Sequence, residues 1–336
     1  MTQRDDETLR EVLEALTRLR LSHDRLRAGR GPGDAAERRP LAPGAAGEAA
    51  REDEAPAVDF GDLPWIDEAG VEPTLEALVG AQLGHGADAQ GAVGEYLRRE
   101  IDVETRLPHL RGLGEALREA LPEAAGLAGL VQDADLLAEA RAEDLLFLDL
   151  ETTGLHRGII VLLGFMRLGP GEKPLTCTQL FPRGYAEEAP LLGEFLGHLR
   201  QHPLLITFNG RSFDAPFLES RLRFHGWFEP LSYAHVDLLH LARRLWRGRL
   251  PDYRLQTLER RLCGRRRLAD LPGSEVPRVW EDYEKSGELR HLPGIWEHNL
   301  RDIATLAEIL VRAAREQPQA AGADGDDERP PDSASL

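Results

Sequence analysis

Two acids one residue apart, Asp149 and Glu151, close an apolar run in LLFLDLETTGL, residues 145–155. Leu145 to Leu150 has the length and near-continuous hydrophobicity of a strand buried on both faces. Strand side chains alternate, so this spacing puts both carboxylates on one face and Leu148 and Leu150 on the other. Two carboxylates at the end of a buried strand are costly unless a cation or water neutralises them. Thr152, Thr153 and Gly154 then turn the chain away. Taken alone, the stretch also reads as a strand that surfaces at its end, where acids are solvated.

A second acidic element is FNGRSFDAPFL, residues 208–218. Asn209-Gly210 makes a tight turn, Ser212 is placed as an N-cap, and Pro216 falls in the first helical turn. Asp214 then sits at a helix N-terminus, whose dipole favours its charge. It reads equally as a simple capping residue. A third element is WEHNLRD, residues 296–302, opening a long helix that runs to about Glu316. His298 and Asp302 are four apart and share a face, with Ile303, Leu306, Ile309 and Leu310 continuing the core side. Asp237, in HVDL, either joins the acids or caps the helix after it. Asp149, Glu151, Asp214 and Asp302 together offer the hard oxygen ligands that two Mg²⁺ or Mn²⁺ ions require.

Charge is unevenly spread. The net charge of −17 argues against a protein that coats nucleic acid indiscriminately. Between His240 and Leu268, however, ten arginines face only two acids, Asp252 and Glu259. An amphipathic helix there buries Leu238, Leu241, Ala242, Leu245 and Trp246 and turns Arg243, Arg244 and Arg247 outward. The patch has the sign needed to hold phosphates, with Tyr253 as a stacking surface. A solvated face that balances acidic neighbours is the other reading.

The elements that must carry these residues alternate from Glu143 onward. Strands are expected at 145–150, 159–168 and 175–181, a helix at 190–200, and a strand at 204–208. That order suits a ribonuclease H-like α/β architecture, a mixed sheet flanked by helices. Upstream, residues 6–28 of the N-terminal segment 1–28 form an amphipathic helix, which reads as self-packing or as a site for a protein partner. Residues 29–58 are a Gly/Pro/Ala-rich disordered linker. Residues 59–142 look like a small cap on the chemistry domain, residues 143–316, with a Pro64-Trp65 turn. Within the cap, Leu113 to Leu121 and Leu136 to Ala142 read as helices, and GAVGEYLRREIDV as helix or edge hairpin. Residues 317–336 form a disordered acidic tail. Only Cys177 and Cys263 occur, no apolar run reaches membrane-span length, and the N-terminus has no signal-peptide shape. These features fit a reducing cytoplasm and no membrane association.

The contexts FLDLETTG, FNGRSFD and HNLRD resemble the DEDD superfamily of metal-dependent exonucleases. Within it, YRLQTLERRLCG and LADLPGSEVPRVWEDY are similar to the YprB-like group. The resemblance covers roughly Glu143 to Glu316, with a weaker echo at Leu107 to Leu121. It implies a 3′–5′ exonuclease acting on DNA or RNA, at a single-stranded end, by a two-metal mechanism. Asp149, Glu151 and Asp302 would ligate the ion that activates water, and Asp149 would also reach the second ion. Asp214 would complete the site. Thr152, Thr153, Gly154, Asn209 and Ser212 would position substrate or water. In the superfamily the general base is a Tyr with three residues before the last Asp, or a His with four. His298 occupies the Tyr slot, which leaves the base open between it and water activated by metal alone. The alternative function is a catalytically weak nucleic-acid-binding or scaffolding protein that retains the fold. Four clustered carboxylates favour the enzyme, because a binder has no physical need of them.

Overall fold

The computed structural model describes residues 74–154, 158–169, 174–267 and 270–316. The expected N-terminal helix, the linker, the Pro64-Trp65 turn and the acidic tail lie outside the described residues.

The apolar run becomes strand β3 (Leu145–Thr152), with β4 (Ile160–Leu168) and β5 (Leu175–Phe181) antiparallel to it in turn. Upstream, β1 (Gln82–Ala87) and β2 (Val93–Asp102) form a hairpin whose second strand pairs with β5. The segment expected as a cap thus contributes, in its described part, two strands to the sheet itself. On the other edge, β6 (Leu204–Thr207) and β7 (Ala234–Asp237) run parallel to β3. The seven strands are ordered β1-β2-β5-β4-β3-β6-β7.

Helices cover both faces. The remaining elements are α1 (Leu75–Val79), α2 (Val103–Arg106), α3 (Leu113–Ala120), α4 (Glu188–Gln201), α5 (Asp214–Phe224), α6 (Leu238–Leu245), α7 (Leu255–Leu262), α8 (Val276–Ser286) and α9 (Leu292–Arg315). Alternation along β3 holds as the spacing requires. Leu146, Leu148 and Leu150 pack with α4 and α5, whereas Leu145 and Phe147 pack with α3, α6 and α9. Asp149 and Glu151 continue the α9 side. Among the described residues no helix is long and apolar enough to cross a membrane.

Two local expectations change. Leu136 to Ala142 does not form an α-helix; 3₁₀ turns at Ala134–Ala138 and Ala142–Asp144 stand there. Asp133, in left-handed geometry at φ 64°, gives its carboxylate to the His235 N–H (3.0 Å) and to Arg211 (3.1 Å), so it does not cap the turn it precedes. Ser212 is not an N-cap either. Phe213 holds that position without a side-chain cap, and the chain enters α5 through Asn209, whose φ is 61°.

Gly164 lets α9 approach the sheet. It pairs with Asp149 across β3 and β4, and a Cβ there would lie 1.9 Å from Asn299 Oδ1 and 2.5 Å from Ile303 Cδ1. Gly164→Ala is therefore expected to destabilise the protein by about 1–3 kcal/mol, the usual cost of overpacking. A urea midpoint unchanged from the parent would contradict this packing.

Candidate metal-dependent active site

Three elements bring the acids together. β3 carries Asp149 and Glu151 on its α9-facing side. β6 stops at Thr207, so beyond Phe147 the β3 edge has lost its parallel partner. Asp214, the first residue of α5, takes over there, and its Oδ1 accepts the Leu150 N–H at 3.1 Å. Helix α9 crosses the same strand end and presents His298, Asn299 and Asp302.

Asn299 is wholly buried and fixes the orientation of Asp149. Its Nδ2 donates to Asp149 Oδ2 at 2.8 Å and to Asp149 O at 3.1 Å. Gln179 of β5 fixes Asn299 in turn, donating from Nε2 to Asn299 Oδ1 (3.0 Å) and Trp296 O (2.7 Å). Neither residue stood out in the sequence. Two signals were present: Asn299 is three residues before Asp302 on one helical face, and Gln179 is a polar residue in a strand that reads as buried.

Burial and mutual repulsion raise the proton affinity of Asp149, Glu151 and Asp214. Burial, then Asp302 and Asp214, push the Asp149 carboxyl well above its usual range. Burial, then Asp149, push Glu151 up to about 8. Burial likewise lifts Asp214 to about 7, against the backbone hydrogen bonds at the start of the helix that lower it. Burial opposes the charge of His298, yet Asp302, the bond to Asp270 and Glu151 together raise it to about 10. Its Nδ1 lies 2.9 Å from Asp270 Oδ1, and its Nε2 lies 3.5 Å from Asp302 Oδ2 and 3.9 Å from Glu151 Oε1. His298 thus sits among Asp270, Asp302 and Glu151, which favour its charged form.

Arg267 is the other internal cation. It reaches Asp302 Oδ1 at 2.6 Å, Asp270 Oδ2 at 2.7 Å and Glu259 Oε2 at 2.7 Å. Among the described residues no three acidic or imidazole groups already surround a common point as ligands; Asp302 is turned toward Arg267 and Asp149 toward Asn299. The donor set nevertheless fits a hard divalent cation. Its members are carboxylates grouped at a buried strand end, and burial and repulsion raise the proton affinity of Asp149, Glu151 and Asp214, which a divalent cation would relieve.

The other predicted positions separate by role. Thr152 Oγ1 donates to Gly154 O (3.1 Å) and Thr153 Oγ1 accepts the Ile159 N–H (3.0 Å), holding the turn that leaves β3. Asp237 adds, after burial and Glu151, to the charge that raises Asp214, but its own hydrogen bonds go to the neighbouring backbone. Its carboxylate accepts the N–H groups of Asn209 (2.9 Å), Arg211 (3.1 Å) and Leu239 (3.0 Å), which shapes the Asn209–Ser212 loop and caps α6. Arg243, Arg244 and Arg247 are exposed, while Leu245 is only partly buried. Tyr253 is partly buried, donating to Trp246 O at 3.0 Å and packing against the core.

A family model described as the RNase H superfamily matches residues 146–314, just over half of the chain. The chain belongs to the RNase H superfamily. It is also similar to the uncharacterised protein YprB of Bacillus subtilis (strain 168), at 34% identity over 178 residues. That match covers 51% of this chain and 42% of the relative, so the chain spans less than half of that protein's length. The chain is thus a YprB-like member of that superfamily.

The raised proton affinities have a consequence for the metal-free protein. Glu151 and Asp214 bind protons more tightly when folded than at their ordinary values of 4.5 and 3.8, and so does His298 relative to 6.5. A group with a raised folded pKa contributes stability at low pH that is lost as pH rises through that value. In chelator, raising pH from about 6.5 to 8.5 is therefore expected to lower the melting temperature by on the order of 5 °C. Saturating Mn²⁺ is expected to reduce the slope, since it binds the deprotonated ligands of the folded state. A flat profile in chelator would mean the acids are not in contact.

Proposed function

We propose that this chain is a 3′–5′ exonuclease of the DEDD type, hydrolysing phosphodiester bonds of DNA or RNA from a single-stranded end. The observation that carries this reading is the convergence of Asp149, Glu151, Asp214 and Asp302 at one buried strand end, where burial and mutual repulsion raise the proton affinity of the first three. These four would hold two Mg²⁺ or Mn²⁺ ions, which when bound polarise the phosphate and increase the acidity of the attacking water.

The chain's own residues do the positioning. Asn299, held by Gln179, keeps one Asp149 oxygen oriented, and the Leu150 N–H does the same for Asp214. His298, anchored through Nδ1 by Asp270, presents Nε2 between Glu151 and Asp302, where it exchanges a proton with water. The turn at Thr152, Thr153 and Gly154 and the loop carrying Asn209 and Ser212 flank the acids and would touch the substrate. Arg243, Arg244 and Arg247 have no ion-pair partner among the described residues and are assigned to the phosphate backbone. Reversing all three to Glu is expected to weaken nucleic-acid binding and flatten its salt dependence. An unchanged salt slope would make that helix a solvated face. The amphipathic pattern of residues 6–28 is assigned to a protein partner, and the low cysteine content to a cytoplasmic location.

The polarity is tested with a 5′-labelled oligonucleotide whose 3′ end is free or blocked. Shortening in single steps from the free 3′ end is expected, and equal digestion of the blocked strand would exclude a 3′–5′ exonuclease. One contact favours the alternative of a catalytically weak binding protein, the Arg267 pairing with Asp302. On that alternative the strand is bound and left intact in Mn²⁺.

A further inference from the structure

Two cavities lie beside the acidic cluster, and their linings join. The first, about 330 Å³, is lined by Glu259, Arg265, Arg266, Arg267, Arg301 and the turn containing His109 and Leu110, among others. Arg267 connects it directly to Asp302. The second, about 530 Å³, shares His109 and Leu110 and continues past Arg111, Arg261, Arg312 and Arg315. Together they run from the Asp302 end of the site, between α7 and α9, to the start of α3.

Charge in this groove is partly neutralised and partly not. Arg265 is paired with Glu259 and Glu308, Arg267 with Glu259, Asp270 and Asp302, and Arg315 with Glu119. Arg111, Arg261 and Arg266 are exposed and have no carboxylate partner among the described residues. Burial first, then Arg265, depress the proton affinity of His109, with Glu308 and Glu259 opposing. Two aromatic rings line the cavities: Trp246, which is 1% exposed and out of reach of a base, and the exposed imidazole of His109. A groove with three exposed guanidinium groups and one exposed imidazole suits the sugar-phosphate backbone more than a run of stacked bases.

We propose that this groove is the track along which the nucleic-acid strand is held while its end lies among Asp149, Glu151, Asp214 and Asp302. The assignment rests on the nuclease reading for the direction of the strand, but not for its existence. It is additional to the α6 arginines, none of which lines either cavity. Recognition here is sequence-independent, since guanidinium–phosphate pairs carry no base information.

The test is fluorescence anisotropy with labelled oligo(dT) in EDTA over a KCl series, where cleavage is silent. Reversal of Arg111, Arg261 and Arg266 to Glu, with Arg243, Arg244 and Arg247 intact, is expected to weaken binding at least about tenfold. The salt slope is expected to fall by about 2, from three contacts at about 0.7 each on a single strand. A melting curve checks folding, and the corresponding triple Gln variant is read the same way if the Glu variant unfolds. Parent-like affinity and slope in a folded variant would overturn the track and leave the groove to another anion, such as an acidic protein segment. Loss of binding in the variant, with no cleavage by the parent protein in Mn²⁺, would support the track and remove the nuclease reading. Normal binding by the variant, with cleavage by the parent, would do the reverse.

Discussion

Asp149→Ala is expected to abolish hydrolysis while leaving a protein that melts, in chelator, at or above the parent temperature. The two effects have one cause. Asp149 is repelled by Asp302 and Asp214 and carries the burial cost of its charge, so removing it relieves the metal-free fold while removing the carboxylate at the centre of the donor set. Asn299 loses its bond to Asp149 Oδ2, but its bond to the Asp149 backbone carbonyl survives the substitution. Asp302→Ala is expected to be equally inactive and to differ in stability. It deprives Arg267 of a partner at 2.6 Å, although Asp270 and Glu259 still hold that guanidinium. Its melting temperature should therefore lie at or below the parent value. Either variant digesting substrate at the parent rate would remove the metal-site assignment, and a large loss of stability in Asp149→Ala would mean that its carboxylate is structural.

His298→Ala is expected to cost about 10²–10⁴ in rate, the usual share of one acid–base group, without abolishing Mn²⁺ binding. The direction of the pH profile follows from the surrounding charges. Without cations, Asp302, Asp270 and Glu151 hold the proton on His298 up to about pH 10. A proton acceptor must be neutral, and cations bound to the same carboxylates oppose the retained charge. The rate in saturating Mn²⁺ should therefore rise with pH until His298 loses its proton and then level off, and the alanine variant should lack this rise. His298→Tyr is expected to recover part of the loss, since the resemblance implies a tyrosine at this position. Full activity of His298→Ala across the pH range would make the histidine a packing residue and leave water activation to metal alone.

Much of this site was legible because it is written in periodicities. The period of two in LLFLDL put Asp149 and Glu151 on one face, and β3 places Leu148 and Leu150 in the opposite core. The i, i+4 spacing put His298 and Asp302 on one side of α9. What the sequence hid depends on contacts between elements. The dipole at the start of α5 is visible in the sequence, but the burial that raises Asp214 to about 7 is not. Asp237 was ambiguous until the loop at Asn209 and Arg211 was seen to bond to it. Gln179, Asn299 and Gly164 come from three elements and matter only where those meet. Arg267 read as one arginine of a basic run, because nothing local distinguishes a guanidinium that faces phosphate from one that faces Asp302.

The metal-dependent cleavage of a nucleic-acid strand by these acids is tested most directly with 5′-labelled single-stranded DNA and RNA. The purified protein and Asp149→Ala are incubated with each strand in Mn²⁺ and, separately, in EDTA. A ladder of shortened products from the parent protein in Mn²⁺, absent in EDTA and absent with Asp149→Ala, is the predicted result. Intact strands in Mn²⁺, or the same ladder from parent and variant, would contradict it.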